Sequence, residues 1–167
     1  MNESRFNVLV YLDESQSAFF AVVYTAILMM NMPNMHLTVL QVKESYSGSI
    51  NTENNGLNSW PISPTSDRMK DVLDIFLNRA VDVRQQVIYS NPNIPDTVDA
   101  LLEYARKWSI ELIIMGAGEL RTLKGLIFGN LAHTVQNKSS IPVLLVKNLT
   151  QDFIDSYRSK PILKLIR

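Results

Sequence analysis

The residues of this chain best suited to chemistry gather in one stretch, Ile113 to Asn130, which holds Gly116, Gly118, Gly125 and Gly129, four of the six glycines in the sequence. An apolar strand-like run enters it and a helix-like run leaves it. Glycines there can take positive φ and let backbone N–H groups approach an anion, and a helix starting near Asn130 adds its free N–H groups and positive dipole end. Arg121 and Lys124 supply cations that suit a phosphate, whereas Glu119 supplies a charge that opposes one. Glycine-rich strand-to-helix turns also serve as plain connectors, and Arg121 and Lys124 also suit solvated surface, so ligand loop and connector both stand at this point.

Other chemistries have less to work with. The absence of cysteine removes disulfides, thiolate nucleophiles and cysteine metal sites. His36 and His133 are the only histidines and fall far apart in the expected topology, so no metal pair or catalytic dyad is indicated, and His133 is expected on an exposed helix face. Asp13 at a strand end suits a phospho-acceptor pocket, but the clustered acids and late lysine of a receiver site are missing. Lys plus Arg equals Asp plus Glu at 16 each, leaving no global field to draw nucleic acid or an anionic membrane. The apolar run from Ala18 to Met32 is broken by Tyr24, Thr25 and Asn31 and is short for a membrane span. Met1 to Phe6 lacks the pattern of a signal peptide. The expectation is a soluble, cytoplasmic protein.

The elements that must position the loop follow from periodicity. With 46% hydrophobic residues, 167 residues can bury the core of a single domain. Asn7 to Leu12 reads as a strand buried on both faces, and Asp13 ends it. Phe19, Val22, Val23, Ala26, Ile27 and Met30 form a helical stripe that Ser15 can cap. Leu37 to Val42 is the second strand. Residues 43–66 form a long polar loop, a lid or a tolerated insertion, which Trp60 can pin to the body. Ser66 or Asp67 caps a helix carrying Met69, Val72, Leu73, Phe76, Leu77 and Ala80, and Val83 to Ile88 is a more polar third strand. Pro95 opens a helix with Val98, Leu101, Leu102 and Ala105 on one face. Leu112 to Met115 is the fourth strand, a helix runs from about Asn130 to Asn137, and Val143 to Val146 closes the sheet. Strand and helix alternate throughout, which predicts an α/β, doubly wound, five-stranded mostly parallel sheet with helices on both faces. Ligands of such sheets sit beyond the carboxyl ends of the strands, where Asp13 and Gly116 both fall. Residues 148–167, with Phe153, Ile154, Tyr157, Ile162, Leu163, Leu165 and Ile166, form an extension expected to dock on the body or on a second subunit.

Taken together, Val8-Leu-Val-Tyr-Leu-Asp-Glu-Ser15, Leu37-Thr-Val-Leu-Gln-Val42, Glu111-Leu-Ile-Ile-Met-Gly116, Leu123-Lys124, Phe128-Gly129 and Ile141-Pro-Val-Leu-Leu-Val146 resemble the universal stress protein family over residues 5–147. The resemblance implies an adenine nucleotide alpha hydrolase-like fold, one domain over residues 1–147, and a homodimer through Val143 to Val146, a strand whose bare edge invites association in any case. It also implies a bound ATP, ADP or AMP, with Mg accompanying the phosphates.

ATP-binding members of that family show a glycine, two residues, a glycine, nine residues, and a glycine followed by serine or threonine. Laid on this chain, those positions are Gly116, Glu119, Gly129 and Asn130, so two are kept and two depart. Glu119 crowds and repels a polyphosphate, and Gly118 can rescue the turn by a shift of one residue. Asn130 still caps a helix and offers an amide to a phosphate oxygen. By the same resemblance Asp13 lies beside adenine and ribose, Val42 and Met115 line the base pocket, and Leu131 follows the phosphate turn, while Arg121 and Lys124 in the same loop can replace lost phosphate contacts or offset Glu119. Asp13 as a helix cap and Met115 as strand core are equally open. Three functions follow: an adenine nucleotide-binding module of the stress response, a dimeric scaffold that has lost the nucleotide, or a slow hydrolase with Glu119 as base. The sequence shows no complete metal or base set for the third.

Overall fold

A computed structural model of the chain describes residues 4–13, 15–45, 83–118, 122–123, 126–127 and 131–158. The elements are β1 (Phe6–Tyr11), α1 (Gln16–Asn31), β2 (Met35–Glu44), β3 (Val83–Ser90), α2 (Ile94–Lys107), β4 (Leu112–Gly116), β5 (Thr122–Leu123), β6 (Leu126–Ile127), α3 (Leu131–Lys138), β7 (Val143–Val146) and α4 (Gln151–Arg158). Five strands form one sheet in the order β3-β2-β1-β4-β7, and every pairing in it is parallel. The chain steps outward from β1 through β2 to β3, then crosses to the other side of β1 for β4 and β7. The order therefore reverses between β1 and β4, which is where a doubly wound sheet opens a crevice.

The pleat of β1 divides the core in two. Val8, Val10 and Leu12 pack under α1 with Ala21, Val22, Leu37 and Ile114, while Leu9 and Tyr11 pack under α2 and α3 with Leu40, Val98, Leu101, Ile113 and Val135. Burial on both faces explains why β1 reads as a continuous apolar run. Side chains such as Leu9, Leu37 and Leu101, fully buried, each contribute about 1.5–3 kcal/mol by leaving water.

Several boundaries differ from the sequence expectation. β2 runs on through Glu44 because Lys43 pairs with Tyr89 and Glu44 with Ser90, so the loop expected from residue 43 starts later and β3 ends later. The remainder of that loop, Trp60 and the helix expected after Ser66 lie outside the described residues. On α1 the expected stripe is too narrow and one residue too long: Val22, Val23 and Ala26 are buried and Phe19 and Ile27 pack partly buried against the core, but Met30 is 41% exposed, and Phe20, Ala21 and Thr25 are buried as well. Phe20 to Val23 are buried in succession, so α1 is covered around much of its circumference, and nearly uniform apolarity left periodicity little to select a face by. The glycine-rich stretch holds a short antiparallel hairpin, with Thr122 opposite Ile127 and Leu123 opposite Leu126, which strands of two residues are too brief to announce. In the C-terminal extension Leu149 packs against the α1 side of the core, whereas Phe153 on α4 stays exposed.

Two local structures fix the ends of the elements that carry the crevice. At the close of α2 the Ser109 N–H donates to the Arg106 carbonyl at 3.2 Å and the Ile110 N–H to the Ala105 carbonyl at 2.9 Å, a Schellman turn with Ser109 at φ 51° in the left-handed position. It reverses the chain into β4. At the far end of β4, Gly116 meets the first turn of α1 so closely that a Cβ there would lie 2.2 Å from the Ser17 carbonyl carbon and 2.7 Å from the Ala18 nitrogen. Those are backbone atoms of a capped helix, which cannot swing aside.

Ser109→Gly should raise stability by about 0.5–1 kcal/mol in urea denaturation, because glycine takes the left-handed region without the clash that a Cβ meets. Gly116→Ala should lower it by about 1–3 kcal/mol in the same measurement, the cost of forcing strand and helix apart. An unchanged midpoint for Gly116→Ala would show that α1 gives way freely.

Candidate functional site

The crevice is built from strand ends and helix starts. β1 continues one residue beyond its formal end, the Leu12 N–H donating to the Leu40 carbonyl at 2.9 Å, and then releases Asp13 into solvent. The Asp13 carboxylate accepts the Ser15 N–H at 2.8 Å, which tightens the turn. Ser15 in turn caps α1, its hydroxyl accepting the Ala18 N–H at 3.2 Å and lying 3.1 Å from the Ser17 hydroxyl. Asp13 therefore orders the turn before the helix while Ser15 performs the capping. On the other side of the reversal the Ala117 N–H donates to the Val146 carbonyl at 2.8 Å, extending the β4–β7 ladder, and Gly118 follows at φ 60°. The residue that needs glycine's conformational freedom is thus Gly118, while Gly116 needs glycine's small size.

On the α2 and α3 side of the sheet, at the carboxyl ends of β1, β2 and β3, lies a cleft of about 220 Å³. Its walls are Val42, Lys43 and Glu44 from β2, Ser90 from β3, Pro92, Asn93, Ile94 and Thr97 around the start of α2, Leu131 at the start of α3, and Tyr11 from β1. The Ser90 and Thr97 hydroxyls lie 3.0 Å apart, tying the end of β3 to α2. Burial holds the Tyr11 phenol well above the usual tyrosine value, and the negative charge of Asp13 pushes in the same direction.

The start of α2 already holds its own anion. The Asn93 side chain accepts the Asp96 N–H at 2.8 Å as the N-cap, and the amides of Asn93 and Asn91 donate to the Asp96 carboxylate at 3.0 and 2.8 Å. Those two hydrogen bonds, Asn93's first, hold the Asp96 carboxyl below the ordinary aspartate value. A carboxylate in the first turn complements the helix dipole, so this terminus is satisfied from within the chain.

Of the site residues expected from sequence, Val42 and Leu131 line the cleft. Asp13, Gly116 and Gly118 stand at the adjoining strand ends, Asp13 and Gly118 exposed and Gly116 pressed on α1. Met115, 1% exposed, is packed in the core beneath α2 and α3 and supports the site from behind. Glu119, Arg121, Lys124, Gly129 and Asn130 lie outside the described residues. Sequence reasoning missed Tyr11, Ser90, Asn93 and Thr97. Tyr11 carried a signal, a polar-tipped side chain within an otherwise apolar strand, whereas the other three read as ordinary turn and cap residues. Among the described residues no group of His, Asp and Glu side chains is arranged to hold a metal ion, and no helix is long and apolar enough to cross a membrane.

Comparison with known proteins agrees with this architecture. A stretch of 52 residues is 38% identical to the stress response protein NhaX of Bacillus subtilis (strain 168), covering 31% of this chain and 31% of that relative, so the match spans about a third of the relative's length. Among solved structures, a universal stress protein in complex with cAMP is 22% identical with a TM-score of 0.60, over 88% of this chain and 100% of that chain. The universal stress protein from Archaeoglobus fulgidus in complex with dAMP is 14% identical with a TM-score of 0.56, over 86% and 98%. At such identities the two structures share the fold with this chain. The model of the universal stress protein family matches residues 5–147, the span that carries the whole parallel sheet from β1 to β7. The chain belongs to the universal stress protein family.

Proposed function

We propose that the cleft binds an adenine nucleotide and that the protein acts in the stress response through its state of occupancy. The observation that carries this reading is the cleft itself, at the carboxyl ends of β1, β2 and β3, with apolar walls at Val42, Ile94 and Leu131 for a base and the hydroxyls of Ser90 and Thr97 for polar edges. The turn at Gly118 leaves β4 beside it. Two relatives of the same fold are complexes with cAMP and with dAMP, which supports an adenine ligand here.

In this reading the base and sugar occupy the described cleft, with Asp13 at its margin. The phosphates extend toward the glycine-rich stretch, where Arg121, Lys124, Gly129 and Asn130 are the groups suited to receive them and Glu119 opposes the most highly charged ligands. Any Mg accompanies the phosphates of the nucleotide. The protein works in the cytoplasm as a homodimer. β7 supports that assembly, because it ends the sheet with one edge unpaired among the described residues and Val143, Leu144 and Leu145 only half-buried.

Protein purified without added nucleotide, denatured and resolved by chromatography, should release AMP, ADP or ATP, and millimolar ATP should raise the melting temperature of nucleotide-stripped protein. Neither release nor a thermal shift would leave the chain a scaffold without nucleotide. Sedimentation velocity at micromolar protein should give a species of twice the 19.0 kDa chain mass, and a boundary at 19.0 kDa alone would remove the dimer.

A further inference from the structure

The nucleotide reading leaves one group in the cleft without a task. Tyr11 is 7% exposed, packed between the sheet and α2, and lines the cleft. Its hydroxyl makes no hydrogen bond among the described residues. As a lining residue of the cleft, Tyr11 sits where a bound molecule can reach it. A strand this apolar would lose nothing in packing from a phenylalanine at this position. An unmatched hydroxyl at the edge of a core costs free energy unless water or a ligand satisfies it.

We propose that Tyr11 determines specificity in this cleft, its hydroxyl donating a hydrogen bond to a ring nitrogen of the bound base. The proposal rests on the nucleotide reading. The charges around Tyr11 select the kind of group it can meet. Asp13 follows two residues later and the Glu44 carboxylate shares the cleft wall with Lys43, the one cation among the described residues that line it, so a phosphate is a poor neighbour and an uncharged acceptor a good one. The flanking apolar surfaces of Val42, Ile94 and Leu131 suit a flat heterocycle better than a sugar. Burial and the Asp13 charge both keep the phenol protonated, so it remains a donor throughout the range in which tyrosine is ordinarily neutral. A ligand offering only C–H at that edge leaves the hydroxyl unpaired, and so is rejected.

The test is a cycle of protein variant against ligand analogue. AMP and its 1-deaza, 3-deaza and 7-deaza analogues, each with one ring nitrogen replaced by carbon, are titrated calorimetrically into wild-type protein and Tyr11→Phe. Wild type should bind one analogue roughly threefold to tenfold more weakly than AMP, the range of one net hydrogen bond. Tyr11→Phe should weaken AMP by the same factor and weaken that analogue no further. Wild-type affinity for AMP in Tyr11→Phe, or independent losses that multiply, would overturn the role of Tyr11 while leaving nucleotide binding intact. Failure of wild type to bind AMP at all would overturn both. Should Tyr11→Phe fold poorly, the wild-type analogue series decides alone, since equal affinity for all three analogues and AMP rules out a ring-nitrogen contact.

Discussion

At the end of β4 there is room for a hydrogen and nothing larger. Gly116 lies against the Ser17 and Ala18 backbone, and much of the architecture around the crevice follows from that approach. α1 can begin there because Asp13 ties back the Ser15 N–H and Ser15 then receives the Ala18 N–H, so the first turn of the helix is fixed from the β1 side. Gly116 fixes the same turn from the β4 side. β1 and β4 are the two strands between which the sheet order reverses, and α1 is wedged against both ends. The crevice is thus pinned where a ligand-binding α/β sheet most needs rigidity.

With that corner fixed, the cleft acquires two chemically different sides. Toward β3 and α2 it is apolar or neutral-polar, and the start of α2 is filled by the chain's own Asp96 carboxylate, held by two asparagine amides. A phosphate brought there would meet a terminus already neutralised and two further carboxylates, Glu44 and Asp13, in the neighbourhood. Under the proposed nucleotide function, that side suits the uncharged part of the ligand.

How much of this the sequence made legible depends on what each residue answers to. Nearly uninterrupted apolar runs announce themselves through composition, so β1, β4 and β7 were placed to within a residue. α2 was equally legible, because Pro95 and the Val98, Leu101, Leu102 and Ala105 stripe are local signals, and Val98, Leu101 and Ala105 are fully buried while Leu102 packs partly buried against the same cluster. α1 was not, since an almost uniformly apolar helix takes its orientation from what surrounds it, and Met30 came out exposed. The cleft was legible only where it coincides with a motif. Val42 and Leu131 were found through family resemblance, whereas Ser90 and Thr97 meet across seven residues of sequence and matter because β3 ends beside α2. Tyr11 could have been found, had its hydroxyl been weighed against the apolar strand that carries it.

The same distinction changes the weight of the glycine pattern. Gly116, conserved in position with the nucleotide-binding pattern, is explained in full by its contact with α1, so its presence says nothing by itself about a ligand. Glu119, the position at which the pattern fails, stands directly after Gly118, and Gly118 already supplies the left-handed backbone that a tight turn out of β4 requires. Among the described residues the left-handed position after β4 is taken by Gly118, one residue before the position at which the pattern departs. What Glu119 changes is charge, which bears on the number of phosphates rather than on the base. Under the nucleotide function proposed above, Glu119 weighs against a triphosphate more than against the nucleoside that carries it.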